Sequence, residues 1–245
     1  MIVKQEVHDI QTPTGTMRTY LYRPDAPGVY ASVIFYSEIF QQTAPISRAA
    51  TMLAGHGFVV LVPEVFHELN PIGTVLGYDD AGKDKGNADK FAKSLAWHDS
   101  DTQALVSFAR SREYSTYHVG AMGVCIGGHL AYRAALNPDV QAAFCLYPTD
   151  IHSNTLPAEL GQDSLTRTGD IKGELVMVFG KQDPHVSASG RQLIHQTLVD
   201  NAVRFTWLEV NAQHAFMRDE GERYDPVLAL QMYQQAVAFF HRTLR

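Results

Sequence analysis

Short apolar runs rich in β-branched residues recur along this chain with helix-period segments between them, and that alternation limits the fold more than any other feature. The runs are Ala31–Tyr36 (ASVIFY), Phe58–Val62 (FVVLV), His118–Val124 (HVGAMGV), Ala142–Tyr147 (AAFCLY), Glu174–Phe179 (ELVMVF) and Arg204–Val210 (RFTWLEV). Each has the length and residue types of a buried strand. Met17–Arg23 reads as an outer strand. Helical spacing of apolar residues falls at Pro45–Ala54, Ser100–Arg110, Gly128–Leu136, Ser189–Val199 and Pro226–Leu244. Strand and helix in alternation predict an α/β fold, a mostly parallel central sheet with helices on both faces. No repeat or linker divides the chain, so residues 1–245 are expected to form one domain. The segments Glu64–Lys90 and Thr149–Lys172 are long, polar and without regular pattern. Both follow the ends of expected parallel strands, the sheet edge where ligands bind in open α/β folds.

Composition narrows the function classes. A net charge of −6 without a basic cluster argues against nucleic-acid or acidic-membrane partners. Only two cysteines, Cys125 and Cys145, are present, which fits a reducing compartment better than a disulfide scaffold. The start, MIVKQEVHDI, lacks the apolar stretch of a signal peptide, and no run approaches a membrane span, so a cytoplasmic location is expected.

The chemistry gathers in three segments. Gly123-Val-Cys125-Ile-Gly127-Gly128 has the form G-x-C-x-G-G between an expected strand and an expected helix. That is the context of a nucleophile elbow, whose turn is so tight that its neighbours must be small. It presents Cys125 above the sheet and turns the backbone N–H of Ile126 toward an incipient oxyanion. Cys145 lies within an apolar strand and reads as an ordinary buried thiol. Asp183, in Gly-Lys-Gln-Asp-Pro, follows the strand ending at Phe179, and His214 follows the last strand. By itself either could be an unremarkable loop residue. Their chain order of nucleophile, acid and histidine, each after a strand end, is that of the α/β-hydrolases. The expected chemistry is attack by the sulfur, deacylation by a water that His214 activates, and orientation of the ring by Asp183.

With these segments in view the chain resembles the dienelactone hydrolases (carboxymethylenebutenolidases) over nearly its whole length. The markers are G-V-C-I-G-G, Ser37-Glu38-Ile39-Phe40, the Q-D-P segment and His214-Ala-Phe-Met-Arg218. The resemblance implies that Glu38 touches the Cys125 thiol in the empty enzyme and moves when substrate binds, helping to draw off the thiol proton. Like-charge repulsion between such a carboxylate and a nascent thiolate keeps a thiol protonated. It also implies a second oxyanion donor in the N–H of Ile39, and Arg218 as a binder of a substrate carboxylate. The family's other arginine belongs to the loop after the second core strand, yet Glu64–Lys90 has none, and Ala215 replaces the family's hydroxyl residue after the histidine. Lys83, Lys85 or His67 could substitute, but a lysine lacks the bidentate fork. Tyr78 and Tyr147 are expected to line the pocket, with Trp97 a further aromatic candidate.

Other signals fall away. Gly77–Lys83 matches G-x-x-x-x-G-K but is followed by Asp84, contains two acids and follows no strand, so it is not a phosphate loop. The scattered histidines show no metal-ligand spacing. The expectation is a cofactor-free, metal-free carboxylic ester hydrolase, of dienelactone hydrolase type, on a small ester, lactone or enol-lactone, anionic if the clamp survives. The alternatives are a thioesterase or carboxylesterase on another acyl group, or a non-catalytic binding protein on the same fold.

Overall fold

The computed structural model describes residues 1–245. An eight-stranded sheet runs in the order β1-β2-β4-β3-β5-β6-β7-β8. Its strands are β1 (Val3–Thr12), β2 (Gly15–Pro24), β3 (Tyr30–Tyr36), β4 (Phe58–Pro63), β5 (Ser115–Val124), β6 (Val140–Leu146), β7 (Glu174–Gly180) and β8 (Arg204–Val210). From β4 through β8 every pairing is parallel, while β1 and β2 add an antiparallel edge. The helices are α1 (Ala44–Gly55), α2 (Asp80–Ala92), α3 (Leu95–Arg110), α4 (Ile126–Ala134), α5 (Ala188–Asp200) and α6 (Pro226–Thr243). The α/β fold expected from the apolar pattern is the fold found.

Strand periodicity splits the interior in two. On β3, Val33 and Phe35 pack with residues of α1 and α6, whereas Ile34 and Tyr36 pack with α3, α4 and α5. Successive side chains on a strand point to opposite faces, so each layer receives alternate residues of the same strand.

Two elements were not apparent from the sequence. β1 buries only Ile10 and forms a hairpin with β2 whose turn ends at Gly15, at φ 144°. A polar edge strand of this kind carries no apolar run to announce it. The second is α2, which occupies much of the expected long loop. Its sequence, DAGKDKGNADKFA, has two glycines and little apolar surface, so helix propensity opposes it. Its start is held by Asp79, whose carboxylate accepts a hydrogen bond from the Gly82 N–H at 2.8 Å. The helix α3 also begins a turn earlier than its apolar spacing suggests, at a Ser94 N-cap. Thr149–Lys172 stays irregular apart from one short turn of 3-10 helix.

The topology places the site. After β3 the chain crosses to β4 on one side, and β5 lies on the other. The loops leaving β3 and β5 therefore diverge, opening the crevice expected at a switch in strand order. α2 closes one wall of it. Gly86 of α2 is buried against the β3 loop, and a β-carbon there would stand 2.8 Å from both Cβ and the carbonyl oxygen of Ile39. Glycine to alanine in a helix normally gains up to ~1 kcal/mol. Here Gly86→Ala is expected to destabilise by about 1–3 kcal/mol in urea unfolding, as overpacking does. A gain in stability would show that α2 does not pack on Ile39 as described.

Candidate active site

The turn from β5 into α4 is the most constrained point of the backbone. Cys125 adopts φ 60°, ψ −126°, a conformation that costs a non-glycine residue of order 1–3 kcal/mol. A β-carbon on Gly123 would meet the Gly127 carbonyl oxygen at 1.9 Å, and one on Gly127 would meet the Tyr36 carbonyl oxygen at 2.2 Å. Only hydrogen fits at either position. The turn is held by Cys125 N–H donating to the Leu146 carbonyl at 3.1 Å and Gly128 N–H donating to the Cys125 carbonyl at 3.0 Å. Cys125 is partly exposed, in contrast to the fully buried Cys145.

Asp183 and His214 arrive from the ends of β7 and β8. His214 Nδ1 donates to Asp183 Oδ2 at 2.7 Å, and Asp183 Oδ1 accepts the His185 backbone N–H at 2.8 Å. Both side chains are buried. Burial alone would depress the His214 pKa. The negative charge of Cys125, followed by the hydrogen bond to Asp183, overcomes it and pushes the ring up to about 10. The sulfur and the imidazole thus lie near enough for the ring's titration to respond to Cys125.

The backbone N–H groups of Ile126 and Ile39 are used in no hydrogen bond within the protein. Ile126 is the first residue of α4, where N–H groups have no intrahelical acceptor and the helix dipole is positive. Ile39 follows Glu38 in the loop after β3. Both residues are buried, and Ile39 lines the cleft.

Glu38 lines the same cleft as Cys125, and its charged neighbour is Arg218. It makes no hydrogen bond to the Cys125 thiol. Its Oε2 is 3.7 Å from Arg218 Nη1, and the Tyr78 hydroxyl is nearby. The residue is 3% exposed. Burial raises its pKa, and the Arg218 charge offsets this in part. The ion pair is loose: Glu38 Oε2 and Arg218 Nε have no hydrogen-bond partner. The guanidinium stacks 4.3 Å from the Tyr78 ring centroid and 5.7 Å from that of Phe40.

These groups line a cleft of about 510 Å³, shared with Lys83, Asn87, Lys90, Thr149, His185 and Arg223. Of the proposed stand-ins for the missing arginine, Lys83 reaches the cleft. Lys85 is exposed and paired with Asp89, and His67 is buried beside Asp101 at 3.1 Å, away from it. Tyr78 lines the cleft. Tyr147 does not: it is 1% exposed and packs edge-on to His214, ring centroids 5.1 Å apart. Its φ of 37° turns the chain inward just after β6, which apolar patterning does not reveal. Trp97 is exposed on α3. Sequence reasoning missed Lys90, His185 and Arg223 as cleft residues. His185 had a usable signal, two residues after Asp183. Asp183, His185 and His214 also bring possible metal-donor atoms within 4.8 Å of one another, but Asp183 and His214 already engage each other.

The model of the dienelactone hydrolase family matches residues 17–244. The chain belongs to the dienelactone hydrolase family. A carboxymethylenebutenolidase-like protein of Saccharomyces cerevisiae is 39% identical over 258 residues, covering 100% of this chain and 94% of that one. The carboxymethylenebutenolidase of Pseudomonas putida is 26% identical over 195 residues, covering 78% and 77%. Among solved structures, a dienelactone hydrolase-like protein of Klebsiella pneumoniae superposes with TM-score 0.85 at 22% identity, covering 99% and 100% of the two chains. The dienelactone hydrolase of Anabaena variabilis superposes with TM-score 0.71 at 14% identity, covering 99% of each. The protein is a hydrolase of this family acting on small-molecule esters or lactones. No helix is long and apolar enough to cross a membrane.

The raised pKa of His214 has a consequence for stability. The unfolded value is near 6.5, so a protonated ring stabilises the fold. That contribution is complete below about pH 6.5 and is lost as pH rises through about 10. An NMR titration should find the His214 ring protonated through neutral pH. In Cys125→Ala the midpoint should fall, because the largest raising influence is gone. An unchanged midpoint would mean that the sulfur and the ring do not interact.

Proposed function

We propose that the protein hydrolyses its ester or lactone through a Cys125–His214–Asp183 triad and a thioester acyl-enzyme. The observation that supports this is a partly exposed, elbow-borne sulfur lining the same cleft as an imidazole that Asp183 holds through a 2.7 Å bond. The sulfur attacks the carbonyl carbon. The oxygen that becomes negative is met by the N–H groups of Ile39 and Ile126, which no protein acceptor occupies. The carbon–oxygen bond to the leaving group then breaks, and His214 gives its proton to that oxygen. Water, deprotonated by the now neutral ring, attacks the thioester. The acid leaves and the sulfur recovers its charge beside the reprotonated ring. Asp183 holds the tautomer that leaves Nε2 for this shuttle.

In this reading the anion site is Arg218, stacked on Tyr78, in a cleft that Lys83 and Arg223 also line. A substrate carboxylate that takes over the guanidinium releases Glu38 from its loose pair. That release supplies the carboxylate movement implied by the family resemblance and gives Glu38 a role in the cycle rather than in the resting state. The enclosed Arg218 guanidinium, stacked on Tyr78, favours an anionic lactone or enol-lactone over a neutral thioester or carboxylester.

A panel of lactones, esters and thioesters run on wild type and Cys125→Ala tests the reading. Cys125→Ala should lose at least about 1,000-fold in kcat/KM, of the order seen for loss of a nucleophile, with unchanged far-UV circular dichroism. Retained turnover would rule out the triad. Arg218→Gln should raise KM for an anionic lactone about tenfold, as loss of a charge-assisted hydrogen bond does, and affect its neutral amide counterpart less. Equal effects would assign Arg218 a structural role.

A further inference from the structure

One buried polar side chain near the site takes no part in the chemistry above. Residues 38–41 form a turn after β3, closed by the Gln41 N–H donating to the Glu38 carbonyl at 3.2 Å. Ile39 is the second residue of that turn, and the N–H at this position of a β-turn is not used by the turn itself. Where the Ile39 N–H points therefore depends on how the turn is held. Gln41 sits at φ 64°, a conformation that a residue with a long side chain seldom adopts. It is 1% exposed and does not line the cleft.

The Gln41 amide meets both ends of the segment that follows β4. Its Nε2 donates to the Thr74 carbonyl at 3.2 Å, and its Oε1 accepts the Phe66 N–H at 3.4 Å. One partner is an acceptor and the other a donor, so a neutral amide serves both where a carboxylate would serve only one. The Leu76 N–H adds a further tie, donating to the Phe40 carbonyl at 3.1 Å. The segment is itself anchored from behind. The Val65 carbonyl, in the same peptide group as the Phe66 N–H, accepts a hydrogen bond from Lys93 Nζ at 2.9 Å. Lys93 is fully buried and is held by Glu68 at 2.8 Å and by Asp101. Breaking a buried ion pair is strongly unfavourable, so this anchor is firm. A peptide carbonyl that accepts a bond from an ammonium also makes its own N–H a better donor. The turn is thus fastened, through one amide, to a buried cluster of charge.

We propose that Gln41 is a positioning residue for the hydrolysis. Its side-chain amide fixes the turn at 38–41 so that the Ile39 N–H faces the oxygen that becomes negative. An oxyanion donor is effective because it is already aimed when charge develops, and a misplacement of about 1 Å costs up to about 100-fold in rate. The neighbouring Gln42 provides the contrast, since its amide donates instead to the Tyr22 hydroxyl at 2.7 Å.

This inference rests on the triad reading above, and the experiment separates the two. Full-length wild type, Gln41→Met, Gln41→Gly and Gln42→Met are compared on p-nitrophenyl acetate. Methionine keeps the length of the side chain without the amide. Glycine removes the side chain but suits φ 64°, so that variant keeps the backbone path if the methionine one folds poorly. Each Gln41 variant should lose about 10- to 100-fold in kcat, short of the ~100- to 1,000-fold lost with an oxyanion donor itself, and KM should be unchanged. Gln42→Met should match wild type. Alkylation of Cys125 by iodoacetamide uses the same sulfur but forms no oxyanion, so all four proteins should react at the same rate. The role is refuted if both Gln41 variants keep the wild-type kcat, or if the loss lies in KM alone. It is also refuted if alkylation slows in parallel with turnover, as in a site that has collapsed, or if Gln42→Met shows an equal loss. If wild type does not hydrolyse the ester, or Cys125→Ala hydrolyses it equally well, the triad reading itself fails and takes this role with it.

Discussion

The structure turns on one backbone bend, the passage from β5 into α4, where three carbonyl groups and the nucleophile compete for space. Hydrogen atoms at Gly123 and Gly127 are all that the surrounding carbonyls admit. The resulting φ of 60° at Cys125 is unfavourable in isolation and persists because β3, β5 and β6 enclose the turn on both sides. The strain lifts the sulfur out of the sheet. The same bend leaves the first N–H of α4 without an acceptor, so a single local feature furnishes both the attacking atom and half of the oxyanion site in the proposed mechanism.

Charge is arranged around that bend in two tiers. The inner tier is the sulfur, the His214 ring and Asp183, where Cys125 and Asp183 raise the pKa of an imidazole that burial would lower. The outer tier is Glu38 and Arg218, close enough to neutralise each other yet short of a hydrogen bond at 3.7 Å. Buried ion pairs with good geometry are hard to open. A loose one, stacked on Tyr78 and left with unpaired atoms on both partners, can exchange its carboxylate for one on a ligand. The outer tier is thus suited to respond to an anion, and the inner tier is suited to wait for a carbonyl.

Much of this was legible in the sequence because its cause is local. Strand-forming runs, the glycines about Cys125, and the order Cys125, Asp183, His214 follow from short-range sterics and from the topology that strand–helix alternation imposes. What escaped was decided by packing between distant segments. α2 forms against its own propensity because Gly86 fits under Ile39 and Asp79 caps the start. β1 buries too little to show in an apolar pattern. Tyr147 turns inward through a positive φ and backs the His214 ring instead of lining the cleft. Glu38 turns to Arg218, a residue contributed by the opposite end of the chain, and that choice of partner depends on a three-dimensional distance. Lys90 and Arg223 sit in segments whose composition resembles any solvated loop or helix, so their place in the cleft depends on chain path alone.

Acid-quenched intact-mass and peptide analysis of the wild-type protein mixed with a slowly hydrolysed acyl ester tests the central claim most directly. The account predicts a single added acyl group, carried by the peptide that contains Cys125 and released by hydroxylamine as a thioester is. An acyl group on any other side chain, or rapid turnover with no acyl-enzyme under conditions where deacylation is made rate-limiting, would contradict it.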